Sequence, residues 1–512
     1  MFPYNVLTAN TFSKTVMIVL AAMITLLSFE KTTNASVIAS VPDIVVDTTS
    51  DAEDFGGSQQ VDDLPGPDGV VSLHEAITAA NNTPGPQVIW FNIPTTDSGF
   101  DGKIFKIEPY SPLPSLLDNG TTIDGCSQTD FTGDTNLFGP EVVLDGSKTE
   151  EVCVGIGIDR SDNHIIRSLV IHSFKATGIQ FFEDPPDFGH PNNVEITQCY
   201  IGTDETGSTG KGNGWQGIVI NGSDNVIGGA NPEDGNLISN NNGSEIGIGG
   251  YEAVSSNTLV QGNMIGTDRT GMVALGKTVG VALCNAKDCL VKGNLISGNE
   301  IGVMFDGSSA EGNCIEENLI GTDVTGEGPL PNNEQGVYFP FSSNSNIVIG
   351  NRIAFNHNCG IIVGSDSTQN TISNNSIFSN DGLGIDLGFD GITYNDINDA
   401  DSGANNLQNF PVLTWTNAGP GRLIVKGTID TPSPRTVTVE FFANPVPDPG
   451  ADPSEYGEGA MYLGSDRPNS KGKFTATLPT VPPGTLISAT ATDAYGNTSE
   501  FSANIEAQHR GH

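Results

Sequence analysis

Short runs of three to five residues, apolar at alternate positions and closed by Gly or Asn, recur through most of the chain. A period of two puts alternate side chains on opposite faces of a strand, and such short runs cannot be helices. One file of residues precedes such runs at Asn163, Asn193, Asn225, Asn257, Asp288, Asn313, Asn346 and Asn370, in steps of 24 to 33 residues. A second file follows at Asn263, Asn294, Asn318, Asn351 and Asn375. A third motif opens another strand at Gly217, Gly280, Gly302, Gly336 and Gly360. Three strands in a minimal unit of 24 residues make one rung of a three-sided solenoid. Rungs stack about 4.8 Å apart. The first Asn file is expected both to turn the corner in left-handed backbone and to bond amide to amide up the stack. Cys289 and Cys314 each follow that file by one residue, and so are expected as buried neighbours on adjacent rungs.

Longer rungs alternate with the minimal ones, and they carry one motif: IGTDETG at Ile201, IGTDRTG at Ile265 and IGTDVTG at Ile320. Thr and Asp bond to their own backbone two residues on, so the motif predicts a loop-former. A catalytic residue is needed once, not in every copy.

A solenoid needs caps over its apolar ends. Val70–Asn82 has Leu73, Ala76, Ile77 and Ala80 at helical spacing, and Ser72 with Glu75 forms a capping box. After Phe410 the rung pattern stops, and alternating stretches such as RLIVKGTI and TVTVEFFA between Pro/Gly turns predict a β-sandwich. The expected fold is all-β: a right-handed parallel β-helix with an N-terminal capping helix and a C-terminal Ig-like β-sandwich. The expected divisions are a signal peptide at 1–35, a cap region at 36–118, the β-helix at 119–410 and the sandwich at 411–512.

Composition narrows the partners. A formal charge of −40 repels a phosphate backbone, so nucleic acid is excluded. Lys14 precedes the apolar run Thr15–Phe29, and TNAS at Thr33–Ser36 offers a cleavage site, which predicts export to the medium or cell surface. No later segment is apolar and long enough to cross a bilayer. Seven Cys allow some pairing, with at least one left single or joined to another chain. No Cys/His spacing suits zinc.

The helix VSLHEAITAAN resembles the CSLREA motif of secreted bacterial right-handed parallel β-helix proteins, with Val71 and His74 in place of its Cys and Arg. The likeness continues through LPSLLDNGTTIDGCSQ, the IGTDxTG copies, GLGIDLG, DADSGANNLQNFPVL and ATATDAYGNTSEFS, roughly residues 40 to 506. It implies export and a pectate-lyase-like solenoid. That fold hosts lyases, glycosidases, epimerases, adhesins and passive fibres, so it does not choose a chemistry.

If recurring motifs are scaffold, chemistry belongs to positions that differ from rung to rung. The fourth residue after each strand-opening Gly forms a corner column: Phe182, Asn221, Tyr251, Cys284, Asp306, Pro340 and Gly364. Glu252 and Asp306 are expected two rungs apart, about 10 Å, just beyond the carboxylate spacing of an inverting glycosidase. Lys287 between them is a candidate base if desolvated. Tyr251, Phe341, Phe182 and Glu183 are the candidate substrate contacts. The same column also reads as a solvated edge. Asp396, Asp399 and Asp401 in an acidic stretch read either as a Ca²⁺ site, the one cofactor expected, or as a solvated linker. The functional expectation is a non-catalytic adhesin or matrix protein that binds extracellular polysaccharide or cell-surface glycan. The alternative is a polysaccharide lyase or glycoside hydrolase.

Overall fold

A computed structural model describes residues 42–509, apart from 55, 183–189, 251–253 and 445–455. The expected signal peptide lies outside the described residues. The chain winds as a right-handed parallel β-helix of three sheets. Sheet A has 11 strands, from Ile44–Val46 to Thr371–Ser373. Sheet B has 10, from Phe105–Ile107 to Ser376–Phe378, and sheet C has nine, from Ile156–Ile158 to Ile385–Leu387. Parallel pairing starts with Ile44 on Ile89, well ahead of residue 119.

Alternation fills the interior. In sheet A the file Ile166, Ile196, Ile227, Val260, Val291, Ile315 and Val348 is fully buried. Each such side chain contributes about 1.5–3 kcal/mol on burial. Phe305 and Phe339 stack inside adjacent rungs with ring centroids 4.2 Å apart. Helix α1, Leu73–Asn82, covers the first rungs with Leu73, Ala76, Ile77 and Ala80 in the same core. Its start is the expected capping box: Ser72 Oγ accepts from the Glu75 N–H at 3.2 Å, and the Glu75 carboxylate accepts from the Ser72 N–H at 3.0 Å.

The first asparagine file divides into two. Asn163, Asn193, Asn257 and Asp288 turn the corner with φ between 53° and 65°. The buried ladder lies one residue later, at Asn313, Asn346 and Asn370, with Asn225, Thr258 and Cys289 in that position on earlier rungs. Successive residues face opposite sides of the corner, so one residue cannot serve both tasks. Only an exposed Asn193-to-Asn163 amide contact, at 3.1 Å, remains in the outer file. This shift also separates the two cysteines: Cys314 pairs with Leu290, while Cys289 occupies the ladder file. Burial pushes both thiols up to about 12, and all seven cysteines are free.

The second ladder is as expected. Asn263, Asn294, Asn318, Asn351 and Asn375 are linked amide to amide at 2.9–3.1 Å. A third ladder, missed in the sequence, runs through Asn299, Asn332, Asn356 and Asn380 in the turn before sheet C.

The IGTDxTG copies are loops. Asp204 accepts from Ser208 N–H at 3.0 Å and Thr206 Oγ1 at 2.9 Å, and Asp268 accepts from Val273 N–H and Thr270 Oγ1 in the same way. The motif's first glycines, Gly202, Gly266 and Gly321, have φ of 82° to 90°. A Cβ there would strike the next rung's backbone carbonyl at 2.2–2.4 Å, so only Gly fits.

Downstream, two antiparallel sheets form the C-terminal unit: Val412–Gly419, Arg422–Thr428 and Lys473–Leu478, facing Thr438–Asn444, Met461–Asp466, Leu486–Thr492 and Ile505–Glu506. Three buried glutamates from this unit meet the last rungs, whose N–H groups have no further rung to bond. Glu440 accepts from Ser373 Oγ and Asn374 N–H, Glu458 from Ser379 and Asn380 N–H, and Glu500 from Leu387 and Thr393 N–H, all at 2.7–3.1 Å. Glu458 thereby also ends the third ladder.

Candidate functional site

The corner column after sheet C does line a groove, with one change of register. Ile220, Ile248, Leu283 and Phe305 are aligned across neighbouring strands, and Cys284 pairs directly with Asp306. One residue further, the row is Asn221, Gly249, Cys284 and Asp306. Glu245, not Gly247, stands in the strand-opening file, because Ile246 aligns with Ile218 and Val281. Tyr251 and Glu252 therefore fall two and three residues past the column in the sequence. They lie outside the described residues, as does Glu183.

The groove has a volume of about 410 Å³. Gln180, Gln216, Asn221, Ser244 and Asn285 bring amides and a hydroxyl to it, Trp215 an aromatic face, and Asp306 a carboxylate. Asn221 is buried, its Nδ2 held by the Phe181 carbonyl at 2.9 Å, and its Oδ1 takes no hydrogen bond among the described residues. Trp215 is 55% exposed. The Cys284 thiol is pushed up to about 11 by burial and then by the Asp306 charge, so it is no thiolate nucleophile.

Phe182 and Phe341, both exposed, sit beyond the two ends of the row, on the rungs of Ile179–Phe181 and Val337–Phe339. Five rung steps separate them, about 24 Å.

Lys287 is a correction. It is exposed, outside this groove, and its Nζ is 2.8 Å from the Glu311 carboxylate. That bond holds its ammonium above the usual lysine range, the opposite of what a base requires. Asp306 is the one member of the expected catalytic set that the described residues place in the groove. Trp215 was missed because it belongs to the insertion after IGTDETG, whose return onto sheet C no periodicity shows.

Among the described residues, one group of three acidic or sulfur/imidazole side chains is placed to share an ion: Asp396, Asp399 and Asp401, with ligand atoms within 4.8 Å of one another. Asp399 already accepts from Asn409 N–H at 2.6 Å and Gln408 Nε2 at 3.0 Å. Burial first, then Asp401 and Asp396, push its carboxyl up to about 6.

Residues 215–398 match the family model described as periplasmic copper-binding protein NosD. Comparison with curated protein sequences gives no match. Among solved structures, an alginate lyase from Paenibacillus sp. is similar with a TM-score of 0.39 and 13% identity, over 59% of this chain and 92% of that one. The periplasmic alginate epimerase AlgG gives 0.21 and 16%, over 53% of this chain and 64% of its own. The enzymatically active domain of a bacteriophage CBA120 tailspike gives 0.25 and 10%, over 85% and 73%. The oxygen-only Asp trio does not fit copper, which prefers imidazole and sulfur ligands.

Proposed function

We propose that the protein is an exported β-helix that binds an extracellular or cell-surface polysaccharide along the sheet C groove without turning it over, as an adhesin or matrix component. The composition of the groove carries this reading: amides and a hydroxyl suit sugar hydroxyls, and an exposed indole suits a sugar face. A hydrolase of the two-carboxylate type needs a second acid beside Asp306. None lines the groove among the described residues. Export is supported by the apolar run Thr15–Phe29 and by the likeness to a periplasmic family. The lyase or glycosidase reading stays as the alternative because Glu252 follows closely on Gly250, which lines the groove.

The test is a panel of neutral and uronate polysaccharides, assayed for binding and for product release. Binding without reducing ends or unsaturated product is expected, with at least about tenfold weaker binding for Trp215→Ala. Turnover that disappears in Glu252→Gln and Asp306→Asn would replace this reading with the enzymatic one. For Asp396, Asp399 and Asp401 the calcium expectation stands as a proposal. Calcium should raise the melting temperature and chelator lower it, and indifference to both removes the site.

A further inference from the structure

A second groove, of about 390 Å³, lies at the corner between sheets A and B. Its floor crosses four successive rungs at Ser168, Gln198, Gly235 and Gly262. Gly139 and Pro140 form one wall, and Arg269 forms the other. Arg269 is the variable fifth letter of the second IGTDxTG copy, and each such letter seats on the closing glycine of the copy before it: Arg269 N–H bonds Gly207 O at 2.8 Å, and Val324 N–H bonds Gly271 O at 3.0 Å. The loop scaffold therefore places one interchangeable side chain per long rung at the edge of sheet B.

At this rung the side chain is a cation without an anion. The Arg269 guanidinium carbon lies 4.5 Å from the Phe138 ring centroid, and its Nε is buried with no hydrogen-bond partner among the described residues. Lys106, Lys148, Arg160, Arg167 and Lys292 all reach a carboxylate within 4.0 Å, whereas among the described residues Arg269 has none that close, although Glu233 lines the same groove; Arg352, over the Phe378 ring with its Nε also unbonded, shares this state but lines no such groove. In a chain of charge −40, a guanidinium with no ion pair among the described residues is available for a ligand. Its planar fork matches a carboxylate and is oriented by the aromatic ring beneath it.

We propose that this corner groove is a second glycan site that takes an acidic sugar, with Arg269 binding the uronate carboxylate and Gln198 and Ser168 facing the ring hydroxyls. The choice of a carboxylate rests on Arg269 alone. The choice of a sugar rests on the glycan reading and on the mixed lining, in which Ser168, Gln198 and Asn236 bring hydroxyl and amide groups and Tyr200, Leu237 and Met264 an apolar side for a sugar face. The site is separate from the sheet C groove, which lies at another corner.

The experiment is calorimetric titration of the folded protein with oligouronates, with the same oligomers after carboxyl reduction, and with an acidic peptide of equal charge. Arg269→Gln is expected to weaken oligouronate binding at least about tenfold, and Arg269→Lys to restore part of it. Carboxyl-reduced oligomers should bind the native protein and Arg269→Gln alike. Equal oligouronate affinity in native protein and Arg269→Gln would overturn the inference, as would Arg269-dependent binding of the peptide and not the sugar. Uronate binding lost in Trp215→Ala but kept in Arg269→Gln would move the ligand to the sheet C groove and leave the glycan reading intact. Arg269-dependent uronate binding with no neutral glycan bound would uphold this site and remove the other.

Discussion

Two stretches of asparagine ladder behave differently. Around Asn318 the ladder is regular: Oδ1 accepts the N–H and Nδ2 of Asn294, and Nδ2 donates to Asn351 at 2.9 Å. Around Asn241 the third ladder has a gap, because the next rung offers Gly276 at the position four residues before its strand. Elsewhere in the strand-opening file a Cβ would approach both a backbone carbonyl of the next rung at 2.5–2.7 Å and its Asn Nδ2 at 2.7–3.1 Å, as at Gly217, Gly302 and Gly336, which together favour glycine. Where that Asn is missing, Glu245 replaces the glycine. Its carboxylate takes the two bonds that the absent amide would take, from Asn241 N–H at 3.3 Å and Nδ2 at 2.6 Å. A break in a repeat is tolerated when one side chain reproduces the lost acceptor.

The largest effect should follow from breaking the regular ladder. Asn318→Ala strands the buried N–H of Asn294 and removes the Asn318 Nδ2 bonds to the Val291 carbonyl and Asn351 Oδ1, and a loss of about 3 kcal/mol or more is expected in denaturant titration. A loss below about 1 kcal/mol would show that the ladder is ornamental. Next comes Glu245→Gly, which restores the repeat's residue but leaves Asn241 unmatched, at a cost of about 1–3 kcal/mol. Glu245→Gln keeps an acceptor oxygen for Asn241 and should avoid most of that loss, and a loss as large as that of Glu245→Gly would refute the substitution argument.

The smallest effect concerns pH. Burial pushes the Glu245 carboxyl up to about 8, far above an unfolded glutamate. The folded state then holds a proton that the unfolded chain has released. The contribution is fully present below about pH 4 and is lost as pH rises through 8. Glu245→Gln should therefore gain stability relative to the native protein between pH 5 and 8.5, measured as the difference of two denaturation curves. His164 and His172, held neutral by burial down to about 4, act oppositely and lose stability as pH falls below about 6.5. Only the paired difference isolates Glu245, and a flat difference would put its folded pKa near the ordinary value.

Much of the fold was legible because a solenoid writes its contacts at nearly fixed intervals. The helix cap, the second ladder and the loop role of IGTDxTG follow from local chemistry, and Asp306 falls in its groove as the repeat implies. Errors arose where two residue roles share one amino-acid type. Asn serves both the left-handed corner and the ladder, so the first file was placed one residue early. Gly247 mimicked the strand-opening Gly where Glu245 stands, and carried Tyr251 and Glu252 out of register. Lys287 was misjudged because its partner, Glu311, lies on the next rung. The Arg269 groove was invisible for another reason: its far wall comes from Gly139 and Pro140, in a segment that shows no repeat.

The three glutamates at the C-terminal end have a mechanical consequence. A stack held only by neighbours unravels from its ends, like a coil paid out one turn at a time. Here the last rungs and the segment after them are tethered to the sandwich by the six glutamate hydrogen bonds, by others such as Ile372 N–H to Thr498 Oγ1, and by Phe442 and Phe501 in the shared core, and the first turns lie under a helix. Pulling or proteolysis at either end of the described solenoid then meets a secured turn, and the solenoid should yield in one abrupt step, not by gradual fraying.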